Sequence, residues 1–417
     1  MGMGRLISPG VIAVTMGVSG AAAQTSLEAQ VQSLLDHVRG SRLGVITNPT
    51  GVDGALGQIA DRLHAGASTE VVAFFAPEHG LRGDRQAGVS VPDYIDPATG
   101  IPVHSLYGSR LAPTAAQLAN VDVLVFDIQD VGARHYTYVW TMTHCMEAAA
   151  AQGIPFVVFD RPNPAGADRA EGAPNPADYG LIGRKWPGQP FGVSTRHGMT
   201  PGELARLVNG AWMSPQADLT VIAIPGYTRQ TRWEELGRQW VAPSPNIPTV
   251  DTAFAYLATC IFEQTNVSEG RGTTRPFELI GAPFIDSLVW ASDLNALDLP
   301  GVRFRAASFI PTFSRYANQV CNGVQLHVLD REAFDPFLTG LWMLKTLRTR
   351  HPVDFVINAN ADRLSGVPGL ANAVATMTPE EIIAGWQADL TAFRALRAQY
   401  LIYPVAPGNS GLVLRPE

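Results

Sequence analysis

Short apolar runs alternate with polar loops and helical stretches through the first half of this chain. The runs cover residues 43–46, 71–76, 121–126, 154–159 and 219–224. Candidate helices occupy stretches near 54–65, 113–119, 138–152 and 201–212. An alternation of this kind builds βαβ units. We therefore predict an α/β fold with a mainly parallel sheet.

The chain is long enough for two domains. Without an N-terminal leader about 390 residues are left, which is more than one hydrophobic core usually organises. Residues 241–248 contain three prolines in eight positions and mark the predicted passage between domains. We place a sheet domain at 24–245 and a smaller α/β domain at 246–417.

The first 23 residues have the composition of a signal peptide. Arg5 gives a positive start, residues 11–18 are mostly apolar, and small residues precede Gln24. We expect cleavage near Ala23 and a periplasmic or secreted mature protein. No later apolar stretch approaches the ~20 residues of a spanning helix, so stable membrane insertion is not expected.

Composition and spacing exclude several functional classes. The formal net charge is −7 and no basic cluster is present, so a nucleic-acid partner is not expected. No G-x-G-x-x-G, H-E-x-x-H or G-x-S-x-G pattern occurs at a strand end, so no cofactor, metal or serine nucleophile is predicted. The chain has three cysteines without metal-ligand spacing: Cys145, Cys260 and Cys321. Buried free thiols are expected, and one disulfide among them is the alternative.

Four polar loops follow the predicted strands, at 47–51, 77–80, 127–130 and 160–164. Parallel strands present their carboxyl ends at one edge of a sheet, so these loops are expected to converge. The second loop is the richest in ionisable groups, because Glu78 and His79 follow an apolar strand directly. A carboxyl group in apolar surroundings can act as a proton donor near neutrality. A polar loop that only solvates itself is the alternative.

Seven stretches of the chain resemble bacterial exo-acting β-N-acetylmuramidases, a glycoside hydrolase family long catalogued as a domain of unknown function. In chain order they are 44–51, 75–83, 105–108, 123–134, 160–164, 196–200 and 265–274. The resemblance implies a Rossmann-like N-terminal domain, a smaller C-terminal domain and a catalytic cleft between them. It also implies release of terminal N-acetylmuramic acid from peptidoglycan fragments. One departure is Ala165-Gly166-Ala167, where Leu-Gly-Gly is expected.

Glycosidic cleavage ordinarily needs a proton donor and a second group that deals with the positive charge at the anomeric carbon. Glu78 is the candidate donor, and the family pattern likewise places a glutamate of functional interest in this motif. Glu269 is the candidate second carboxylate, with Asp127 and Asp130 in reserve. His79 is a further catalytic candidate, but neighbouring strand-end side chains tend to point apart, so a simple pair with Glu78 is not expected. Attack by the sugar's own acetamido group is the third option.

N-acetylmuramic acid carries a lactyl carboxylate, which a planar guanidinium binds well. Each loop arginine is a candidate for this contact or for an ion pair with a loop carboxylate: Arg82, Arg134, Arg161, Arg196, Arg271 and Arg275. Other polar side chains are candidates for hydrogen bonds to sugar hydroxyls: Asn48, Asp130, Asn163, His197 and Asn266. Tyr107, Tyr136 and Trp140 are candidates for a stacking floor or for packing.

Two other classes fit the same sequence. A periplasmic binding protein for muropeptides or sugar acids also has two α/β domains around a cleft. An esterase or amidase would release an acyl group or a peptide instead of a sugar.

Overall fold

The computed structural model describes residues 20–90 and 92–406, with side chains from Ser26 onward. Most of the predicted signal peptide therefore lies outside the described residues. Within them, no helix has the length and apolar character needed to cross a membrane.

Twelve strands and twelve α-helices are described. The strands are β1 (Arg42–Thr47), β2 (Glu70–Ala76), β3 (Tyr94–Ile95), β4 (Pro102–Ser105), β5 (Val123–Asp127), β6 (Phe156–Phe159), β7 (Glu171–Pro174), β8 (Ser194–Arg196), β9 (Leu219–Ile222), β10 (Leu279–Ala282), β11 (Val302–Phe309) and β12 (Cys321–Val328). The helices are α1 (Gly20–His37), α2 (Ile59–Ala65), α3 (Ala115–Leu118), α4 (Tyr138–Gln152), α5 (Pro201–Leu207), α6 (Val250–Thr259), α7 (Ser287–Ala296), α8 (Pro336–Arg350), α9 (Ala361–Ser365), α10 (Leu370–Thr376), α11 (Pro379–Ala384) and α12 (Gln387–Ala398).

A seven-stranded sheet dominates the N-terminal half, in the order β3-β4-β2-β1-β5-β6-β9. All neighbours in it are parallel except β3, which runs antiparallel to β4. The five apolar runs overlap β1, β2, β5, β6 and β9, because helices cover both faces of the sheet and most residues of β1, β2, β5 and β6 are buried. The predicted α/β class with a mainly parallel sheet is confirmed.

The sheet has a switch point at β1. Strand β1 pairs with β2 on one side and with β5 on the other, so the chain turns in opposite directions after these strands. In open α/β sheets a crevice opens at such a point, outside the carboxyl ends of the strands. The polar loops after β1, β2, β5 and β6 all leave at this edge.

The C-terminal half is organised around a three-stranded antiparallel sheet in the order β10-β12-β11. Helices α6, α7 and α8 contribute to its own apolar cluster, which includes Phe262, Trp290 and Leu344. The chain then returns to the first sheet, where the Tyr403 hydroxyl donates to Asp160 Oδ2 at 2.6 Å. The segment after α12 therefore ties the two halves together.

Candidate active site

A cavity of about 540 Å³ lies between the carboxyl edge of the large sheet and the C-terminal half. One wall comes from the loops after β2, β4 and β5, and the other from the end of α6 and the loops around 271 and 313. The ionisable side chains that line it are Glu78, His79, Tyr107, His135, Tyr136, Tyr138, Tyr256, Glu263 and Arg271. Its size is typical of a small-molecule site, for which about 300–1,000 Å³ is usual.

Two hydrogen bonds hold the carboxyl group of Glu78, which lies just after the end of β2. Its Oε1 accepts the Gly88 N–H at 3.0 Å, and its Oε2 accepts the Thr137 hydroxyl at 3.0 Å. The two donors come from separate loops, so the carboxyl group is fixed from both sides. Only 9% of the residue surface is exposed.

His79 lies in the same cavity because the strand alternation ends before it. Its φ is +71°, in the left-handed region, and Gly80 follows at +82°. This turn brings the side chains of Glu78 and His79 to one cavity, where strand geometry alone would point them apart. The Nδ1 atom lies 2.8 Å from the Arg85 carbonyl, so Nδ1 carries the hydrogen and donates. Burial lowers the pKa of His79, which favours a neutral ring with an Nε2 lone pair.

The second carboxylate that lines the cavity is Glu263, not the predicted Glu269. Arg271 joins the two: its Nη2 lies 2.8 Å from Glu263 Oε1 and its Nη1 donates to Glu269 Oε1 at 3.2 Å. Only 4% of the Glu269 side chain is exposed, against 23% for Glu263. Burial raises the pKa of Glu263, and Arg271 opposes that rise. Glu269 thus lies behind Arg271, and Glu263 faces the cavity.

Sequence reasoning missed Glu263 because it sits in the 3₁₀ turn Cys260–Gln264, at the end of an apolar helical stretch. Only its position just before the polar loop 265–274 could have signalled a role.

Aromatic rings form a connected wall of the cavity. Tyr256 packs edge-on against His135, Tyr136 and Phe277, with ring centroids 4.7, 6.0 and 4.7 Å apart. Burial and the neighbouring Glu78 carboxylate raise the pKa of Tyr107, so this phenol stays protonated and can donate. The predicted Trp140 is buried in the core and its indole N–H donates to the Arg134 carbonyl, so it belongs to packing.

Two predicted site residues pair with each other away from this cavity. Arg161 Nε donates to Asp127 Oδ1 at 2.8 Å, and both side chains are almost fully buried. Burial raises the pKa of Asp127, an effect that Arg161 opposes. Asp127 is the last residue of β5 and Arg161 follows β6, so this pair spans neighbouring strand ends at the switch point. Their position does not support the predicted catalytic and substrate-binding roles.

Other predicted cations and acids brace loops. Arg134 is fully buried and donates to the Ile182 and Leu364 carbonyls at 2.6 and 2.7 Å. Asp130 Oδ2 accepts the Gly132 N–H at 2.7 Å and lies 3.1 Å from His197 Nε2. Arg134 Nε and Asp130 Oδ1 have no partner among the described residues, but both side chains are enclosed away from the cavity, so their positions indicate structural roles instead of sugar contacts.

The remaining predicted residues also contact the protein itself. Arg82 pairs with Asp96 at 2.8 Å on the far side of its loop. Asn48 and Asn163 hold local turns by accepting the Thr50 and Ala165 N–H groups. Asn266 binds a distant segment of the C-terminal half, where it accepts the Val356 N–H. Of the predicted arginines, Arg271 is the one that lines the cavity.

No group of His, Cys, Asp and Glu side chains within residues 20–90 and 92–406 is arranged to hold a metal ion. In the same part of the chain the cysteines are free and buried: Cys145, Cys260 and Cys321.

Known proteins resemble this chain along nearly its whole length. Family models described as exo-β-N-acetylmuramidase NamZ, N-terminal and C-terminal, match residues 43–251 and 254–403. The peptidoglycan β-N-acetylmuramidase NamZ of Bacillus subtilis (strain 168) is 46% identical over 383 residues, which are 91% of each chain.

Two crystal structures of DUF1343 family proteins from Bacteroides fragilis NCTC 9343 share the fold. One has a TM-score of 0.82 at 32% identity and covers 91% of this chain and 98% of its own. The other has a TM-score of 0.72 at 30% identity, with 93% and 99% covered. With both family models matched in order, this chain belongs to the exo-β-N-acetylmuramidase NamZ family.

Proposed function

We propose that this protein is a glycoside hydrolase that releases terminal N-acetylmuramic acid from peptidoglycan fragments. The Bacillus subtilis relative is named for β-N-acetylmuramidase activity on peptidoglycan. The observation that carries the proposal here is that Glu78 and Glu263, from different halves of the chain, line one cavity. Two carboxyl groups around a sugar-sized cavity are the usual requirement of glycosidic cleavage.

Glu78 is the proposed proton donor. It would protonate the departing glycosidic oxygen as the bond to the anomeric carbon breaks, and water would supply the hydroxyl group of the released sugar. The Gly88 N–H and the Thr137 hydroxyl hold the carboxyl group in place, which limits the reorganisation needed at the moment of transfer.

Glu263 is the proposed second acidic group, and it takes the place of Glu269 in this role. Glu263, Glu269 and Arg271 together carry two negative charges and one positive charge when all are ionised. The excess negative charge beside the cavity favours an anomeric centre that becomes positive. Glu263 would stabilise that charge directly or orient the substrate's acetamido group, while Glu269 would position Arg271.

The proposal is tested with Glu78→Gln and a chromogenic N-acetylmuramide. The variant should lose at least about 100-fold in kcat, since general acid catalysis contributes ~10²–10⁴-fold, while ligand affinity is kept. Glu70→Gln, at the exposed start of the same strand, is the matched control and should keep full activity. Unchanged turnover by Glu78→Gln would exclude the proposed donor.

The nature of the product separates this function from the other classes. Mass spectrometry of a digested muropeptide of defined structure should show free N-acetylmuramic acid and a shortened fragment. Release of a peptide or an acyl group would indicate an amidase or an esterase. No product at all, with tight ligand binding, would indicate a binding protein.

We also propose that the chain is exported and cleaved near Ala23. The support is the Arg5 start, the apolar stretch 11–18 and the small residues before Gln24. Mass spectrometry of the protein recovered from the periplasm and the medium should give a mature N-terminus near Gln24. An intact Met1 terminus in the cytoplasmic fraction would contradict export.

A further inference from the structure

A second, smaller cavity of about 70 Å³ lies at the switch point of the large sheet. Its floor comes from the loops after β1, β5 and β6, through Thr50, Gln129 and Arg161. Its cover is a stretch of chain that includes Trp233 and Arg238. It shares no lining residue with the larger cavity.

Arg238 is the unusual residue of this cavity. Its Nη1 atom is buried and has no hydrogen-bond partner among the residues that the structure describes. Arg238 as a residue is partly exposed, but a guanidinium nitrogen that is buried without an acceptor is costly, because its desolvation is not offset. Burial and the nearby Arg161 lower the pKa of Arg238 to about 10, an effect that the nearby Asp127 opposes.

The acidic groups around this cavity are already engaged by other partners. Asp127 Oδ1 accepts from Arg161 at 2.8 Å, while Asp127 Oδ2 is buried and accepts no hydrogen bond from the residues that the structure describes. Asp53 pairs with Arg62 at 3.1 Å and also accepts the Ala55 and Gly57 N–H groups, both at 2.9 Å. Asp127 is near enough to raise the pKa of Arg238, yet within residues 20–90 and 92–406 no carboxylate accepts a hydrogen bond from Arg238 Nη1.

We propose that this cavity binds a small oxyanion, a phosphate-sized or carboxylate-sized group, which Arg238 recognises. The position supports the proposal, since ligands of open α/β sheets collect at the carboxyl ends of strands at a switch point. The size does too, because a water needs about 10–15 Å³ and the cavity therefore holds a group of only a few heavy atoms.

The test is a calorimetric titration of the full-length mature protein with inorganic phosphate and, separately, with acetate. Saturable binding is expected for at least one of them. Arg238→Gln should weaken it about tenfold or more, because hydrogen bonds to charged groups are the strong ones. Arg39→Gln removes an exposed arginine that pairs with Asp36 and should leave binding unchanged.

The two oxyanions separate the ligand sources. Tighter binding of phosphate assigns a phosphate group, and tighter binding of acetate assigns an organic acid. Equal effects of phosphate, acetate and chloride at one ionic strength would overturn the proposal, because they would reflect general charge screening. So would the absence of saturable binding, or equal binding by wild type and Arg238→Gln.

A second measurement avoids dependence on the variant. Crystals of the wild-type protein soaked in selenate should show an anomalous peak between Arg161 and Arg238. The absence of a peak at that position, with selenate located elsewhere, would overturn the proposal.

Discussion

Arg271 is expected to be the residue on which the C-terminal wall of the large cavity depends. It holds Glu263 at 2.8 Å and Glu269 at 3.2 Å, and Phe277 lies beneath its guanidinium at 5.0 Å. Arg271→Met keeps much of the side-chain volume and removes the charge. Two enclosed carboxylates are then left next to each other without a cation.

The expected cost of Arg271→Met is about 2–4 kcal/mol in the free energy of unfolding at pH 7.5. Breaking a buried ion pair costs ~3–5 kcal/mol, and we reduce this because Arg271 and Glu263 are 21% and 23% exposed. The control Arg303→Met breaks an exposed pair with Asp298 and should cost less than about 1 kcal/mol.

The pH dependence of this loss gives a sharper test. Burial already raises the pKa of Glu263 in the folded protein, and removal of Arg271 raises it further. A carboxyl group with a raised folded pKa destabilises the fold above that pKa, and the penalty fades as pH falls towards the unfolded value near ~4.3. Urea denaturation of Arg271→Met should therefore show a smaller loss at pH 5 than at pH 7.5.

Two results would refute this reasoning. A loss below about 1 kcal/mol at pH 7.5 would show that the ion pairs are not enclosed as described. An equal loss at both pH values would show that the cost comes from packing, not from the stranded carboxylates. The double variant Arg271→Met with Glu269→Gln should recover part of the stability if repulsion between the carboxylates is the cause.

Two further predictions address the sheet edge. Arg161→Met should cost about 3 kcal/mol in urea denaturation, because it strands the buried Asp127 carboxylate, and a cost below about 1 kcal/mol would argue against the pair. The folded pKa of His79 is lowered, so the wild type should lose free energy of unfolding as pH falls below about 6.5. His79→Asn keeps a residue that tolerates the positive φ and should not show this loss. Parallel unfolding curves for His79→Asn and wild type between pH 7.5 and 5 would contradict this.

The local elements were predictable wherever neighbouring residues decide them. The apolar runs became strands of one mainly parallel sheet, and α5 begins at Pro201 with a capping box between Thr200 and Glu203. Two kinds of element escaped sequence reasoning. Strands β3 and β4 are short, and β4 begins with proline, so their sequences alone do not indicate strands. They form because β4 pairs with the edge strand β2 of the sheet. The stretch 379–400 reads as one helix but divides into α11 and α12 near Trp386.

The candidate site was predictable in part. Glu78, His79 and Arg271 lie in polar loops and line the cavity, as their positions after the strand and in the loop 265–274 indicate. The other loop residues could not be sorted in this way. Asp127 and Arg161 also lie at strand ends, yet they pair with each other, because β5 and β6 are neighbours in the sheet and bring the two side chains together.

The sequence by itself determined the class of the fold, the edge of the sheet where polar loops gather, and the glutamate that follows β2. Periodicity and strand-end chemistry are local properties, so they can be obtained from residues that are close in the chain. Only the tertiary structure decided that Glu263 and not Glu269 completes the cavity, and that Arg238 Nη1 is buried without an acceptor among the described residues. Both outcomes depend on how distant segments pack, and packing sets which charges meet and which do not.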